Sequence, residues 1–190
     1  MIIEDKEACH IPGMSSKITE EEHIERYFFA SRYADNIRVL DIACGVGYGS
    51  HILANAGAKF VLGCDLMENN ISYAKENYIA DNLEFKCKDA RTEIGEGEFD
   101  LVVCFETIEH VDDCYNVLGN LYNSLKRDGT LIISSPNRKI TNPYLRVIDR
   151  PSFEYHYREY KRDEFYLLLE AFGFSNIEEY GQRHQFFSDL

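Results

Sequence analysis

The chain has 190 residues, of which 45% are hydrophobic, and this length suits the core of one α/β domain with little left for a second. Its formal net charge of −13 argues against a broad contact with nucleic-acid phosphates, because proteins that bind nucleic acid usually carry a basic patch or stripe. We therefore expect a single domain over residues 1–190, with nucleic acid disfavoured as a partner.

The six cysteines stand singly, without the C-x-x-C spacing of metal sites, and four of them lie in or beside apolar runs. We interpret them as core residues of a protein in a reducing compartment. The N-terminus lacks the basic start and long apolar stretch of a signal peptide, and no later segment is long enough to cross a membrane. The sequence therefore predicts a cytoplasmic protein without a membrane span.

The first 36 residues read as a helical lead-in to a sheet. A capping signal at Thr19 and Glu22 opens the segment "TEEEHIERYFFASRYADN", and apolar side chains then recur at roughly helical intervals. We predict one helix here, beginning at this signal.

From residue 37 onward, β-branched apolar runs alternate with longer segments of helical period, which is the pattern of a parallel sheet covered by helices. The predicted strands are "IRVLDIA", "AKFVLGCDL", "NLEFKCKDA", "FDLVVCFET", "GTLIISSPN" and, near the end, "NIEEYGQ". The predicted crossover helices are "YGSHILANAG", "ENNISYAKENYIA" and "DDCYNVLGNLYNSLKRDG", of which the first and last finish at a glycine suited to a C-cap.

Two connections are predicted to be irregular. Residues 89–99 are too short and too rich in glycine for a helix, so a loop or one weak turn is expected. Residues 137–160 contain Pro143 and Pro151 and precede the helical segment "KRDEFYLLLEAFG". This second connection is the candidate substrate loop or lid.

Three glycines at alternate positions, Gly45, Gly47 and Gly49, join the first strand to its helix. Such a turn places backbone N–H groups and a positive helix end at the carboxyl edge of the sheet, and glycines leave room for a ligand there. The dinucleotide fingerprint G-x-G-x-x-G needs its third glycine one residue later, so the spacing here is different.

Acidic residues close the next two predicted strands. Asp65 lies about 20 residues after the first glycine, where a carboxylate accepts the hydroxyls of a ribose in nucleotide-binding α/β proteins. Asp89 follows the third strand, where it can accept from the amine of an adenine, or simply initiate a turn.

The motifs "VLDIACGVGYGS", "GCD", "KDA", "FDLVVCFETIEHV" and "LKRDGTLIISSPN", in this order and spacing, resemble the class I S-adenosylmethionine-dependent methyltransferases from about Thr19 to Gly181. The resemblance implies S-adenosyl-L-methionine as cofactor, S-adenosyl-L-homocysteine as product, and a Rossmann-like, doubly wound, mostly parallel sheet of six to seven strands with helices on both faces. It also implies that Asp41 supports the glycine loop and the amino-acid end of the cofactor, and that Asp65 holds the ribose. By the same resemblance, Asp89 and Ala90 flank the adenine, and Phe105 and Glu106 lie beside the methionine portion. The cofactor-binding residues expected are Tyr27, Asp41, Ala43, Gly45, Gly47, Asp65, Leu66, Asp89, Ala90 and Phe105.

One of these residues has an alternative interpretation and one departs from the family pattern. Tyr27 either folds over the cofactor or is a core aromatic, and Ala43 replaces the first glycine of the usual loop.

The end of the chain and several motifs bear on the subgroup. A short tail after the sixth predicted strand leaves a seventh, antiparallel strand open, with "HQFFSD" as its candidate. The segments "IERYFFASRY", "ETIEHV" and "SPNR…NPY…HYREY…EF" look most like a subgroup related to ubiquinone-biosynthesis and to sugar and polysaccharide methyltransferases.

Methyl transfer from a sulfonium is a direct displacement, so the protein mainly aligns the reactants and excludes water. His110 is the candidate base for a hydroxyl or ammonium acceptor, unless it only begins the next helix, and Glu106 is the alternative base. Asn137, His156 and Tyr157 are the candidate substrate residues, although an aromatic minicore is an equal interpretation of that loop. No histidines and carboxylates show metal-ligand spacing, so no metal is expected.

The leading hypothesis is therefore an enzyme that transfers a methyl group to oxygen or nitrogen of a small molecule, with a sugar or saccharide-linked group as the preferred acceptor. A non-catalytic domain that binds S-adenosylmethionine is the alternative from another class. A nicotinamide-dependent oxidoreductase is disfavoured by the glycine spacing. The sequence does not predict the oligomeric state.

Overall fold

The computed structural model describes residues 17–182, with side chains from residue 21 onward. The first part of the lead-in and the segment "HQFFSD", the candidate for a seventh strand, lie outside the described residues. No helix in this range is both long enough and apolar enough to span a membrane.

Five parallel strands form one sheet in the order β3-β2-β1-β4-β5. Because β1 lies between β2 and β4, the chain reverses its direction of travel across the sheet there, and ligands of open α/β sheets bind at the carboxyl ends of such strands. The strands are β1 (Arg38–Ile42), β2 (Phe60–Asp65), β3 (Leu83–Cys87), β4 (Phe99–Cys104) and β5 (Leu125–Ile133).

Within residues 17–182, six α-helices and one 3₁₀ turn accompany the strands. The 3₁₀ turn over Ile108–His110 follows β4 directly. The helices are α1 (Lys17–Ser31), α2 (Tyr48–Asn55), α3 (Glu68–Asn77), α4 (Cys114–Ser124), α5 (Arg138–Thr141) and α6 (Arg162–Ala171). Lys17 is already helical, so the prediction that the first helix begins at the Thr19 signal is wrong.

Both faces of the sheet are buried at its three central strands, β1, β2 and β4, which confirms the doubly wound α/β prediction and explains why these strands read as nearly continuous apolar runs. Val39, Val61 and Val103 point to the layer formed by α1 and α2. Leu40 and Val102, from alternate positions, point to the layer formed by α4 and α6. Cys44, Cys64, Cys104 and Cys114 are buried free thiols as predicted, whereas the core interpretation is wrong for Cys87, which is exposed at the end of the edge strand β3.

One helix end was predicted correctly and one was not. Gly57 follows α2 with a φ of 95°, the left-handed conformation expected of a glycine C-cap. The second predicted C-cap, Gly129, is wrong, because α4 ends at Ser124 and β5 begins at Leu125. Gly129 lies inside β5 at a register shift opposite β4, where an added Cβ would lie 3.1 Å from the carbonyl oxygen of Lys126. The glycine therefore serves a close backbone approach within a strand.

The predicted sixth strand, "NIEEYGQ", is wrong within residues 17–182, so the described sheet has five strands instead of six to seven. Instead of pairing beside β5, this segment crosses to α1. The Tyr180 ring packs 4.6 Å from the ring of Phe29, and the Gln182 side chain accepts from Arg26 at 2.6 Å. Side-chain contacts with a helix thus replace the ladder that the apolar pattern suggested.

Candidate functional site

The loop between β1 and α2 occupies the carboxyl edge at the point where the strand order reverses. Three of its residues have left-handed backbone, with φ of 57° at Ala43, 55° at Gly45 and 90° at Gly47. Alanine in this conformation is strained by roughly 1–2 kcal/mol, whereas glycine is not. The N–H of Gly45 donates to Oδ2 of Asp65 at 2.9 Å, which ties the loop to the end of β2.

Two glycines of the loop are approached by the protein's own side chains. A Cβ added at Gly49 would lie 2.0 Å from the ring of Tyr27, and one at Gly47 would lie 2.6 Å from Cβ of Ala74 and 2.8 Å from the ring of Phe85. The protein's own side chains therefore already account for glycine at both positions, and the interpretation that these glycines make room for a ligand stays a prediction. Packing by α1, α3 and β3 requires glycine at both positions.

Asp41 is fully buried beneath the loop. Its Oδ2 accepts from the Ser50 hydroxyl at 2.6 Å and its Oδ1 accepts from the Tyr27 hydroxyl at 3.1 Å. Burial raises the pKa of Asp41 to about 7, although these two hydrogen bonds lower it. Asp41 thus joins α1 to the first turn of α2 beneath the loop, and its role in supporting the loop and the cofactor stays a prediction.

Tyr27 is a core aromatic, which is the second of its two sequence interpretations. Its ring is 5% exposed and stands edge-on to the rings of Phe105 and Tyr48, with centroids 5.1 and 5.5 Å away. Burial raises its pKa well above the ordinary range. Tyr27 therefore acts on the carboxyl edge of the sheet through its contacts with Asp41, Tyr48 and Phe105.

Asp65 ends β2 with 8% of its surface exposed. Besides Gly45, it accepts from the N–H of Met67 at 2.9 Å and from the amide of Asn70 at 3.1 Å. A carboxylate offers about four acceptor positions, so these three donors leave one for a ligand hydroxyl. Asp65 can therefore accept a hydrogen bond from one ribose hydroxyl without rearrangement, whereas the sequence suggested that it accepts from both hydroxyls. Leu66, which follows, is exposed and free to contact a ligand.

Asp89 and Ala90 are engaged locally. The Asp89 carboxylate accepts from the backbone N–H of Arg91 at 2.9 Å and forms an ion pair with its guanidinium at 2.8 Å. This is the turn-initiating arrangement weighed from the sequence, and the connection 89–99 is a loop as predicted. The carbonyl of Ala90 accepts from the Asn120 side chain at 3.0 Å.

Phe105 and Glu106 follow β4. Glu106 adopts a φ of 45°, a left-handed conformation that is unusual for a residue with a side chain. The Ser134 hydroxyl accepts from its N–H at 3.1 Å and donates to its Oε1 at 2.6 Å, joining the ends of β4 and β5. Strained backbone held by such contacts is often found at functional sites.

A cluster of three residues, Glu109, His110 and His156, lies beyond Glu106. One potential ligand atom from each lies within 4.8 Å of the others. The sequence spacing did not reveal this group because His156 lies on a distant segment, and the expectation that no metal is bound is not tested by the geometry alone. His110 is the last residue of the 3₁₀ turn and does not begin a helix. We call these three residues the Glu-His-His cluster.

Both imidazoles of the cluster are oriented through Nδ1. The carbonyl of Tyr155 lies 3.0 Å from Nδ1 of His110, and Oε1 of Glu159 lies 2.6 Å from Nδ1 of His156. The two rings stand edge to face with centroids 4.9 Å apart. Burial lowers the pKa of His110, which favours the neutral ring needed by a base or a metal ligand.

Glu109 is fully buried, and neither of its carboxylate oxygens has a hydrogen-bond partner. Burial raises its pKa well above the ordinary range, and the charge of Glu106 adds to the effect. The Ser135 hydroxyl is close enough to oppose the shift, but it forms no hydrogen bond of ordinary geometry. A buried carboxylate without a partner is costly and requires an explanation.

The loop 137–160 is held against the 3₁₀ turn. The N–H groups of Tyr157 and Arg158 donate to the carbonyl of Glu109 at 2.6 and 3.1 Å. Buried Glu159 accepts from Thr141 and, at 2.9 Å, from Asn142. These contacts make the loop a wall of the site.

The three predicted substrate residues separate in the structure. The Asn137 side chain caps α5 by accepting from the backbone N–H of Lys139 at 3.0 Å, and its contact with a substrate stays a prediction. His156 joins the Glu-His-His cluster. Tyr157 is exposed and lines a cavity of about 270 Å³ with Val147, Ile148, Arg150 and Arg158.

Sequence reasoning did not assign a role to Glu109 or Glu159. Glu109 lies in the motif "ETIEHV" beside the candidate base His110, but nothing in the sequence indicated that the 3₁₀ turn would bury it. Glu159 became important only through the folding of residues 137–160. Ser50 carried a usable signal, since it follows the glycine loop by one residue.

Comparison with known proteins agrees with this geometry. Residues 40–133 match a family model described as a methyltransferase domain. A ubiquinone biosynthesis O-methyltransferase of Ruegeria sp. (strain TM1040) is 30% identical over 91% of this chain and 73% of its own. A phosphoethanolamine N-methyltransferase of Triticum aestivum is 30% identical over 78% of this chain and 30% of its own.

Among solved structures, an S-adenosylmethionine-dependent methyltransferase from Mesorhizobium loti superposes with a TM-score of 0.65 at 17% identity, covering 79% of this chain and 81% of that one. The chain belongs to the class I S-adenosylmethionine-dependent methyltransferases. This membership implies S-adenosylmethionine as the cofactor, in agreement with the acceptor position left on Asp65. The chain spans about half or less of the length of several curated relatives that it matches.

Proposed function

We propose that the protein transfers the methyl group of S-adenosylmethionine to a small-molecule acceptor. The observation that carries the proposal is the loop with left-handed backbone at the reversal point of a methyltransferase sheet, tied to an Asp65 that keeps one acceptor position for a ribose hydroxyl. In this proposal the chain's own residues bind and orient the reactants, because displacement at a sulfonium carbon requires alignment above all.

The residues proposed for the cofactor divide by their role. Asp65 and Leu66 contact it directly, the loop residues Ala43, Gly45 and Gly47 present backbone, and Asp41 and Tyr27 hold the loop from inside. For Asp89 to accept from an adenine amine, it would share its carboxylate with Arg91. Ala90 and Phe105 complete the set as apolar neighbours.

The finer proposal concerns the acceptor. A hydroxyl of a saccharide or saccharide-linked group remains the first choice, and its support is the subgroup likeness of the loop motifs. The names of the relatives given above point elsewhere, one to ubiquinone biosynthesis and the other to phosphoethanolamine. The guanidinium groups of Arg150 and Arg158 at the cavity beside Tyr157 suit an acceptor that also carries an anionic group.

The test is calorimetric titration with S-adenosylmethionine, S-adenosyl-L-homocysteine and NAD. We expect the first two to bind and Asp65→Asn to weaken both by about 10-fold or more, since a charge-assisted hydrogen bond contributes about 1.5–3 kcal/mol. Glu84→Gln, an exposed carboxylate on β3, is the matched control and should leave both affinities unchanged. Binding of NAD alone would refute the proposal.

Turnover then separates an enzyme from a binding module. The protein is incubated with S-adenosylmethionine and three acceptor sets, namely nucleotide sugars and oligosaccharides, catechols, and phosphoethanolamine, and formation of S-adenosyl-L-homocysteine is measured. Turnover with the saccharides alone would support the finer proposal. Tight cofactor binding without turnover on these sets or on fractionated cell extract would favour the non-catalytic alternative.

A further inference from the structure

We propose that Glu109, His110 and His156 bind a divalent transition-metal ion, and that this ion holds the oxygen of the methyl acceptor. The binding site stands on the geometry of the Glu-His-His cluster alone. The role given to the ion rests on the proposed function.

The first argument is the Glu109 carboxylate, which lies inside the protein with both oxygens unpartnered. Isolated buried carboxylates are strongly disfavoured, so native proteins pair them, protonate them or use them to coordinate metals. Among the described residues, Glu106 has the same sign, Arg26 forms no ion pair with Glu109, and His110, with Nε2 at 4.0 Å, would be an ion-pair partner only if protonated. The cationic partner is therefore expected from outside the chain.

The second argument is the orientation of the two histidines. A carbonyl or carboxylate acceptor at Nδ1 fixes the proton on that nitrogen, which leaves the lone pair on Nε2 of each ring. Nε2 of His110 lies 4.0 Å from Oε1 of Glu109, so this free nitrogen faces the unpartnered carboxylate. The pairing of His156 with Glu159 is the carboxylate–histidine arrangement found behind metal ligands.

The third argument is the support behind His156. Glu159 is 1% exposed, and besides His156 its side chain accepts from Thr141 and Asn142. The hydrogen bonds from these two side chains hold the Glu159 carboxylate in place, so Glu159 acts as a positioning residue for the imidazole.

The ligand set indicates the kind of ion. Two imidazoles and one carboxylate suit zinc, iron, cobalt or manganese more than calcium or magnesium, which prefer oxygen ligands. Metal bonds of about 2.0–2.2 Å place ligands about 3.0–3.5 Å apart, so binding would draw the three atoms together by about 1 Å. Three protein ligands leave a coordination position open for water or an acceptor oxygen.

The position of the cluster suggests what the ion does. It follows β4, which is the strand next to β1 on the carboxyl edge that carries Asp65. An acceptor hydroxyl bound to the ion loses its proton to solvent more readily than in water. Its oxygen then forms a bond to the methyl carbon while the carbon–sulfur bond breaks, and the electron pair of that bond remains on sulfur. In this scheme His110 is a ligand and no separate base is required.

The test uses the chelator-treated, dialysed protein and cobalt(II) as the probe, followed by absorbance in the visible range and by calorimetry. We expect one bound ion per chain, with affinity at least 10-fold weaker in Glu109→Gln and in His110→Ala. His51→Ala, a histidine on α2 far from the cluster in the fold, is the matched control and should bind as the wild type does. Glu159→Gln should weaken binding about 10-fold or more through His156.

Thermal unfolding of each variant shows whether it is folded, and the partly exposed position of His110 makes His110→Ala the safer variant. Absence of cobalt binding, or equal binding by the folded variants, overturns the site. The titration contains neither S-adenosylmethionine nor acceptor, so its outcome is separate from that of the proposed function. If turnover is found and persists unchanged in chelator, the role of the ion is refuted.

Discussion

The contact between Gly49 and Tyr27 gives the sharpest test of how the cofactor loop is built. A Cβ at residue 49 would lie 2.0 Å from the Tyr27 ring, well inside an ordinary contact of about 3.5–4.0 Å. Relieving this overlap means moving a buried ring or α2 by about 1.5 Å, and overpacking of this kind costs about 1–3 kcal/mol. We expect Gly49→Ala to reduce the free energy of unfolding by an amount near the upper end of that range.

The effect should reverse when the ring is removed. Gly49 lies in α2, and alanine is favoured over glycine in helices by up to about 1 kcal/mol. In a Tyr27→Ala background, Gly49→Ala should therefore be neutral or stabilising, which gives a coupling free energy of about 2–4 kcal/mol between the two positions. Urea unfolding of the four proteins measures it.

Gly119→Ala is the matched control, since Gly119 also lies within a helix and its nearest neighbour would be 3.8 Å from the added Cβ. This variant should be stabilised in both backgrounds. The reasoning fails if Gly49→Ala leaves the stability of the ligand-free protein unchanged and weakens only cofactor binding. That result would return the glycine to the role of making room for a ligand.

Three further outcomes are expected from urea unfolding. Burial raises the pKa of Asp41 to about 7, above its value in the unfolded chain. The proton bound to Asp41 therefore stabilises the fold fully below about pH 4, and this stability is lost as the pH rises through 7. In Asp41→Asn, the free energy of unfolding should change less with pH between pH 4 and 8. Leu118→Ala removes a fully buried side chain of α4 and should cost about 2–5 kcal/mol, whereas Leu167→Ala, at an exposed position of α6, should cost much less. Arg138→Ala should lower the free energy of unfolding by roughly 2–4 kcal/mol, because this buried guanidinium donates to Glu164 at 2.6 Å and to the carbonyl of Glu159 at 2.8 Å. An unchanged urea midpoint would contradict the stabilising role given to these contacts.

The sheet and its carboxyl edge could be predicted because they follow from local signals. Buried parallel strands read as apolar runs, and residues that end them, such as Asp65, must meet at one edge. The same logic failed for "NIEEYGQ", a predicted strand whose aromatic side chain, Tyr180, packs on α1 instead of on the sheet. It also failed at Gly129, because a glycine after a helical pattern resembles a C-cap whether or not the chain has already entered a strand.

Contacts between distant segments could not be predicted. The close contact of Tyr27 with Gly49 depends on how α1 lies across α2. The Glu-His-His cluster depends on the loop 137–160 folding back onto the 3₁₀ turn. Asp89 shows the reverse case, in which a partner only two residues away, Arg91, takes the carboxylate that longer-range reasoning gave to a ligand. Side-chain partners are decided by the final packing, which periodicity does not encode.

The carbonyl of Glu109, which accepts from Tyr157 and Arg158, has a consequence for the order in which the molecule assembles. Closing this long connection costs chain entropy that adjacent strands and helices do not incur, so its contacts are expected to form after the sheet. They should also be the first to open under native conditions. Hydrogen exchange at Tyr157 would then be faster than in β1 and β4, and a brief local opening would disconnect His156 from Glu109 while the cofactor loop stays folded.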